Sequence, residues 1–133
     1  MNTTLNVRCG YFLPVLLVVL AACSDNTLAP FQPEVTNTTD NFQMQATGVK
    51  NASFDRTYSW SNTGQQATVN HSTTKTTGSA RVTIRDAGGT VVYDKALSPS
   101  LNEATSTGTS GTWKIQVRLS GYSGTLNFRV QKL

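Results

Sequence analysis

The sequence predicts an all-β domain, an antiparallel two-sheet β-sandwich of seven to eight strands, behind an export signal and a flexible tether. Three observations carry that expectation. The chain holds 21 Thr and 12 Ser among 133 residues, while charged residues are only 14%; Thr is β-branched, stiff at χ1 and suited to pleated strands. From Asp40 onward apolar side chains recur at period two, the pattern of strands buried on one face. Clusters of Gly, Asn, Asp and Ser separate the alternating runs, and no ten-residue segment has a helical period, so there is no crossover for parallel pairing. The same composition disfavours a helical bundle, a coiled coil, a metal-cluster protein and a multi-domain enzyme.

Residues 1–23 read as an export signal. Arg8 precedes a 12-residue apolar run, Tyr11 to Ala22. As a helix that run is about 18 Å long against a hydrocarbon core of roughly 30 Å, too short to span a membrane and suited to a signal peptide. Ser24 to Thr39 has two prolines and no apolar periodicity. It reads as a tether averaging roughly 20–25 Å end to end.

The strands follow in order. Phe42, Met44 and Ala46 alternate with Gln43 and Gln45, and Phe54, Tyr58 and Trp60 share the next face. Ala67, Val69 and His71 form a third strand, and Ala80, Val82 and Ile84 a fourth. Val91 and Tyr93, or Val92 alone on the opposite face, mark a fifth. Trp113, Ile115, Val117 and Leu119 alternate with Lys114, Gln116 and Arg118, and Leu126, Phe128 and Val130 close the chain. A short eighth strand fits Glu103–Thr107. Turns are expected at 62–64, at 86–89 and at 120–124, the last joining the two final strands. His71 to Ser79 reads as a long polar loop.

Leu20-Ala21-Ala22-Cys23 resembles the lipobox of bacterial lipoproteins. The resemblance implies cleavage between Ala22 and Cys23, diacylation of the Cys23 thiol and acylation of the new α-amine by a palmitate-like chain. The partner it implies is a membrane of the cell envelope, reached through those acyl chains. In enterobacterial members an Asp directly after the Cys retains the protein at the inner membrane. Here Ser24 takes that place and Asp25 comes one residue later, which implies the outer membrane where a cell has two. The expected organisation is a signal peptide over 1–22, the lipidated Cys and tether over 23–39, and the sandwich over 40–133. With Cys9 removed and Cys23 acylated, no cysteine remains for a disulfide, and the domain relies on its core.

A second resemblance covers part of the domain, from Tyr58 to Val130. Tyr58-Ser-Trp60, Val82-Thr-Ile84-Arg-Asp86-Ala-Gly-Gly89, Gly111-Thr-Trp113-Lys-Ile115 and Phe128-Arg-Val130 follow in an order similar to bacterial pre-peptidase C-terminal domains. Those are small jelly-roll-like sandwiches attached to secreted proteins, some of which bind collagen or polysaccharide. Members that bind calcium use clustered acids. Asp55, Asp86, Asp94 and Glu103 stand apart in this chain, so no metal site is expected.

The chemistry-bearing residues are few. His71 is the only histidine; Ser72 and Asp55 accompany it without a nucleophile-elbow signature, so it reads as a partly buried strand residue and not as a catalytic base. One His and no free Cys argue against a transition metal, and no cofactor is expected. The net charge of +4 falls to +3 once residues 1–22, which hold Arg8 and no acid, are removed. The lysines are scattered without interleaved aromatics, so nucleic acid is not an expected partner. Tyr58, Trp60, Trp113 and Tyr122 are the candidate platform for a sugar ring, with Trp60 and Trp113 equally placed for the core and Tyr122 in a Gly-rich turn. The expected function is a lipid-anchored, non-enzymatic interaction or structural module of the cell envelope that meets an envelope protein or glycan. The alternatives are a carbohydrate-binding lipoprotein and a small accessory hydrolase.

Overall fold

The computed structural model describes residues 31–133. The expected signal, Ala22, Cys23 and the first part of the expected tether lie outside them. The described residues form seven antiparallel strands and no helix: β1 Glu34–Thr38, β2 Asn41–Asn62, β3 Ala67–His71, β4 Thr74–Arg85, β5 Val91–Ala96, β6 Leu101–Ala104 and β7 Gly111–Lys132. All belong to one hydrogen-bonded sheet with the order β1-β2-β7-β3-β6, in which β4 joins β7 and β5 joins β4.

The alternation of the sequence locates the inner face in most strands, but at β5 the consecutive Val92 and Tyr93 are both buried while Val91 is exposed, and the breaks are misplaced. The runs around Phe42 and Trp60 are one 22-residue strand, and so are the runs around Trp113 and Phe128. Residues 120–124 are therefore not a turn between paired final strands. Each half of β7 pairs instead with β2, Trp113 opposite Trp60 and Phe128 opposite Met44. The other flank of β7 is filled by β3 and β4 in succession, Val69 opposite Val130 and Ile84 opposite Ile115. The polar stretch after His71, expected as a loop, enters β4 at Thr74. Glu34–Thr38, inside the segment expected as a tether, is a strand on the edge of β2. Every residue of it is exposed, so it carries no apolar alternation to betray it.

A straight 22-residue strand would be about 70 Å long, whereas a domain of this size has a radius of gyration of about 13 Å. Both long strands bend. Register shifts interrupt the β2–β7 ladder between Ala46 and Phe54, and the β4–β7 ladder between Lys75 and Ser79. Beyond the bend the two halves of β2 face each other across the core: the rings of Phe42 and Tyr58 lie 5.3 Å apart. Met44, Val69, Phe128 and Val130 from one half, with Trp60, Val82, Ile84, Ile115 and Val117 from the other, join the same buried cluster.

The two ends of β2 are fastened where they meet. Asp40, at φ 65°, donates its backbone N–H to the Ser61 carbonyl (2.8 Å) and accepts from the Lys132 N–H (3.0 Å). Its carboxylate accepts from the Thr63 N–H at 2.8 Å and pairs with Lys132 Nζ at 3.2 Å. Asp tolerates the left-handed region better than most residues, so it fits this corner.

The bend depends on two close backbone approaches. A Cβ on Gly124 (φ 140°) would lie 2.0 Å from the Thr74 carbonyl oxygen, and one on Gly78 (φ 75°) would lie 2.1 Å from the Gly121 carbonyl oxygen. Gly124→Ala is predicted to cost about 3 kcal/mol or more, from backbone strain plus a clash that no side-chain rotation relieves. Gly88→Ala, which would meet only Asp86 Oδ1 at 3.5 Å, is predicted to stay within about 0.5 kcal/mol of wild type. Urea unfolding of the two variants checks the contrast, and equal costs would contradict it.

Candidate functional site

The four aromatics do not form a sugar platform. Trp60, Trp113 and Tyr122 are 1%, 0% and 0% exposed, and Tyr58 is half-buried against Phe42. The two indoles pack edge to face at 5.8 Å. Three of the four polar handles are used internally, as burial demands, whereas the Tyr58 hydroxyl is buried without a hydrogen-bond partner. Trp60 Nε1 donates to the Thr38 carbonyl at 3.1 Å, Trp113 Nε1 to the Thr109 carbonyl at 2.7 Å, and the Tyr122 hydroxyl to the Thr125 carbonyl at 2.6 Å. Tyr122 is buried because its segment is the inner lining of a bent strand and not an exposed turn.

His71 is 1% exposed and joins the two halves of the sheet. Its Nδ1 donates to the Leu97 carbonyl at 3.0 Å, which leaves Nε2 as acceptor towards the Tyr93 hydroxyl at 3.3 Å. Behind Tyr93 stand Glu103 on β6 and Lys95 on β5, paired at 2.5 Å. Burial holds the His71 pKa below its ordinary value, against the opposing pull of the Leu97 carbonyl and the Glu103 carboxylate. Burial, then Glu103, pushes the Tyr93 hydroxyl well above the usual phenol range. The Lys95 ammonium, and after it the Tyr93 hydroxyl, lower the Glu103 carboxyl. Both ring nitrogens of His71 are engaged, so neither is offered to Ser72. Asp55 lies on an outer face, bonded to Gln116 at 2.9 Å and Arg118 at 3.2 Å. The three residues weighed for a hydrolytic triad are not brought together.

Among the described residues the remaining acids also have structural partners. Asp86 accepts from the N–H groups of Gly88, Thr90 and Thr109 at 3.0, 2.8 and 2.8 Å, and the Thr109 bond contributes most to its lowered pKa. Asp94 accepts from Arg81 at 2.6 Å and Thr83 at 2.9 Å. Among the described residues no three His, Cys, Asp or Glu side chains converge as metal ligands.

The outer surfaces of the two halves differ in chemistry. Over β2, β7, β4 and β5, the row Asp55–Arg118–Arg81 carries charges, and so does the Lys114–Arg85 pair beyond the intervening row Thr57–Gln116–Thr83; Arg81 is matched with Asp94 and Arg118 with Asp55. Over β1, β2, β7, β3 and β6, the register aligns Thr36, Gln43, Arg129, Asn70 and Asn102 in one row across five strands. Glu34, Gln45 and Asn127 form the adjacent row. Sequence reasoning noted Gln43 and Gln45 only as the polar phase of an alternation. The signal that was available is that this phase is amide and hydroxyl in one half, and ionic in the other.

These residues define an all-β antiparallel domain with a buried polar clasp and two chemically distinct outer faces. No protein-family model, no curated protein and no solved structure matches the chain.

The clasp gives a pH dependence with a definite sign. His71 is the only histidine, and the fold prefers it neutral. Its contribution is therefore complete above the unfolded pKa of about 6.5 and is lost as pH falls below it, because the unfolded chain binds the proton more readily. The urea midpoint is predicted to drop between about pH 7.5 and 5.5, a window above the range of the Asp40, Asp55, Asp86, Asp94 and Glu103 carboxyls, each of which the fold lowers. In His71→Gln that drop should vanish. A wild-type midpoint independent of pH across this window would contradict the assignment.

Proposed function

We propose that the chain is a lipid-anchored β-sandwich of the cell envelope, acting as a non-enzymatic interaction or structural module. The observation that carries this reading is Leu20-Ala21-Ala22-Cys23 at the end of a 12-residue apolar run. In it the Cys23 thiol and α-amine carry the acyl chains, cleavage falls between Ala22 and Cys23, and Ser24 directs the protein to the outer membrane of a two-membrane cell. The contact of Phe42 with Tyr58 across one core supports the sandwich, with the two halves of the bent sheet as its layers and a jelly-roll-like path. The non-enzymatic part is supported by where the reactive groups are spent. His71 clasps β3 to β5, and Asp40 and Asp86 hold corners through backbone amides.

Two or three acyl chains, at about 0.8 kcal/mol per buried methylene, make attachment effectively permanent. In cells fed an alkyne-tagged palmitate, wild-type protein should take up label and partition with membranes. Cys23→Ala should abolish the label and leave the uncut precursor. Wild-type protein recovered cleaved, unlabelled and soluble without detergent would contradict the anchor.

A further inference from the structure

We infer that the outer face of β1, β2, β7, β3 and β6 binds a neutral, hydroxyl-rich glycan chain. The inference rests on the envelope-module reading and names the ligand class of that module. Neighbouring strands lie about 4.8 Å apart, so a row across five strands offers a continuous track about 19 Å wide. Along it stand Thr36, Gln43, Arg129, Asn70 and Asn102, four of them exposed and Gln43 half-buried. Amides carry both donors and acceptors, and so do hydroxyls. That is the complement of a sugar, each of whose hydroxyls gives and takes a hydrogen bond.

The charge balance selects a neutral ligand. This row and the next, through Glu34, Gln45 and Asn127, hold one acid and one base. Stripping water from amides costs far less than stripping it from ions, so such a face can be covered at low cost by a partner that replaces its hydrogen bonds. The opposite half, with Arg81, Arg85, Lys114 and Arg118, is ordinary ionic surface.

The longer side chains are already held in place. Arg129 Nη2 donates to Gln43 Oε1 at 3.1 Å, Gln43 Nε2 to Gln45 Oε1 at 3.4 Å, and Gln45 Nε2 to Glu34 Oε2 at 2.6 Å. Prealignment lowers the ordering cost of binding. Asn70, Asn102 and Asn127 make no side-chain hydrogen bond among the described residues, so their amides are the ones offered to a ligand. A protein partner would want an apolar or aromatic anchor at the centre, and the exposed large apolar side chains, Val35, Val91 and Leu133, fall in neither row.

The test uses the full-length protein in detergent on immobilised cellohexaose, chitohexaose, maltohexaose and dextran, with heparin and polygalacturonate as anionic counterparts. At least one neutral glycan should be retained, with an affinity that changes little between about 0.05 and 0.5 M salt. The double variant Asn70→Ala/Asn102→Ala should weaken that binding about tenfold or more with an unchanged urea midpoint. Arg85→Ala/Lys114→Ala should bind as wild type. Retention of anionic glycans alone, or equal loss in both double variants, would overturn the inference. A wild-type dimer by sedimentation that Asn70→Ala/Asn102→Ala converts to monomer would also overturn it, because the face would then belong to a second copy. Membrane-anchored protein that retains no neutral glycan sinks this inference alone, whereas unlipidated, soluble protein sinks the envelope reading whatever it binds.

Discussion

The fold of β2 and β7 back on themselves is the constraint on which the rest of the structure depends. Each is 22 residues long, and each supplies both walls of one core. At the bend the β4 and β7 backbones come so close that a Cβ on Gly78 or Gly124 would overlap a carbonyl oxygen, so side chains are excluded where curvature is sharpest. Away from it, burial of both walls at once is what keeps the strands folded. Trp60 and Trp113 are opposite each other in register, and the hydrophobic effect acts on both walls through this shared cluster. Two polar fastenings complete the closure, Asp40 between the ends of β2 and β7, and His71 between β3 and β5.

That arrangement explains the distribution of chemistry. Groups that look reactive in isolation are consumed in holding the halves together. The imidazole has both nitrogens engaged, and the Asp86 carboxylate is surrounded by backbone N–H groups. What remains for a partner is the outward phase of the strands, and there the two halves diverge, one ionic and one amide-rich. β1 is the edge strand of the amide-rich face and the first strand of the described residues.

Much of this was legible in the sequence, and the physics of period two is why. Phe42 and Met44, Val82 and Ile84, and the run from Trp113 to Leu119 all fall on the inner phase, where alternation puts them. His71 in phase with Val69 pointed to burial. The breaks were not legible, because Gly-rich residues 120–124 suit a hairpin turn and a bent strand equally well. Which one forms is decided by β2 lying alongside, with Ala52 opposite Tyr122 and Val49 opposite Gly124. Exposure of Tyr122 was misjudged for the same reason. β1 was hidden because an edge strand exposed on both faces has no apolar phase. Of the candidate site, the residue types were visible but their assembly was not: only register across β1, β2, β7, β3 and β6 brings Thr36, Gln43, Arg129, Asn70 and Asn102 into line.

The most direct test of this account is a nuclear Overhauser measurement between the rings of Phe42 and Tyr58. The two residues lie 16 positions apart on one strand, about 50 Å if that strand ran straight, yet their ring centroids are 5.3 Å apart. Folding back of β2 predicts strong cross-peaks between these rings, beside those of the Trp60–Trp113 pair. Trp60–Trp113 cross-peaks without any between Phe42 and Tyr58 would show an intact ladder on an unfolded-back strand, and would contradict the account.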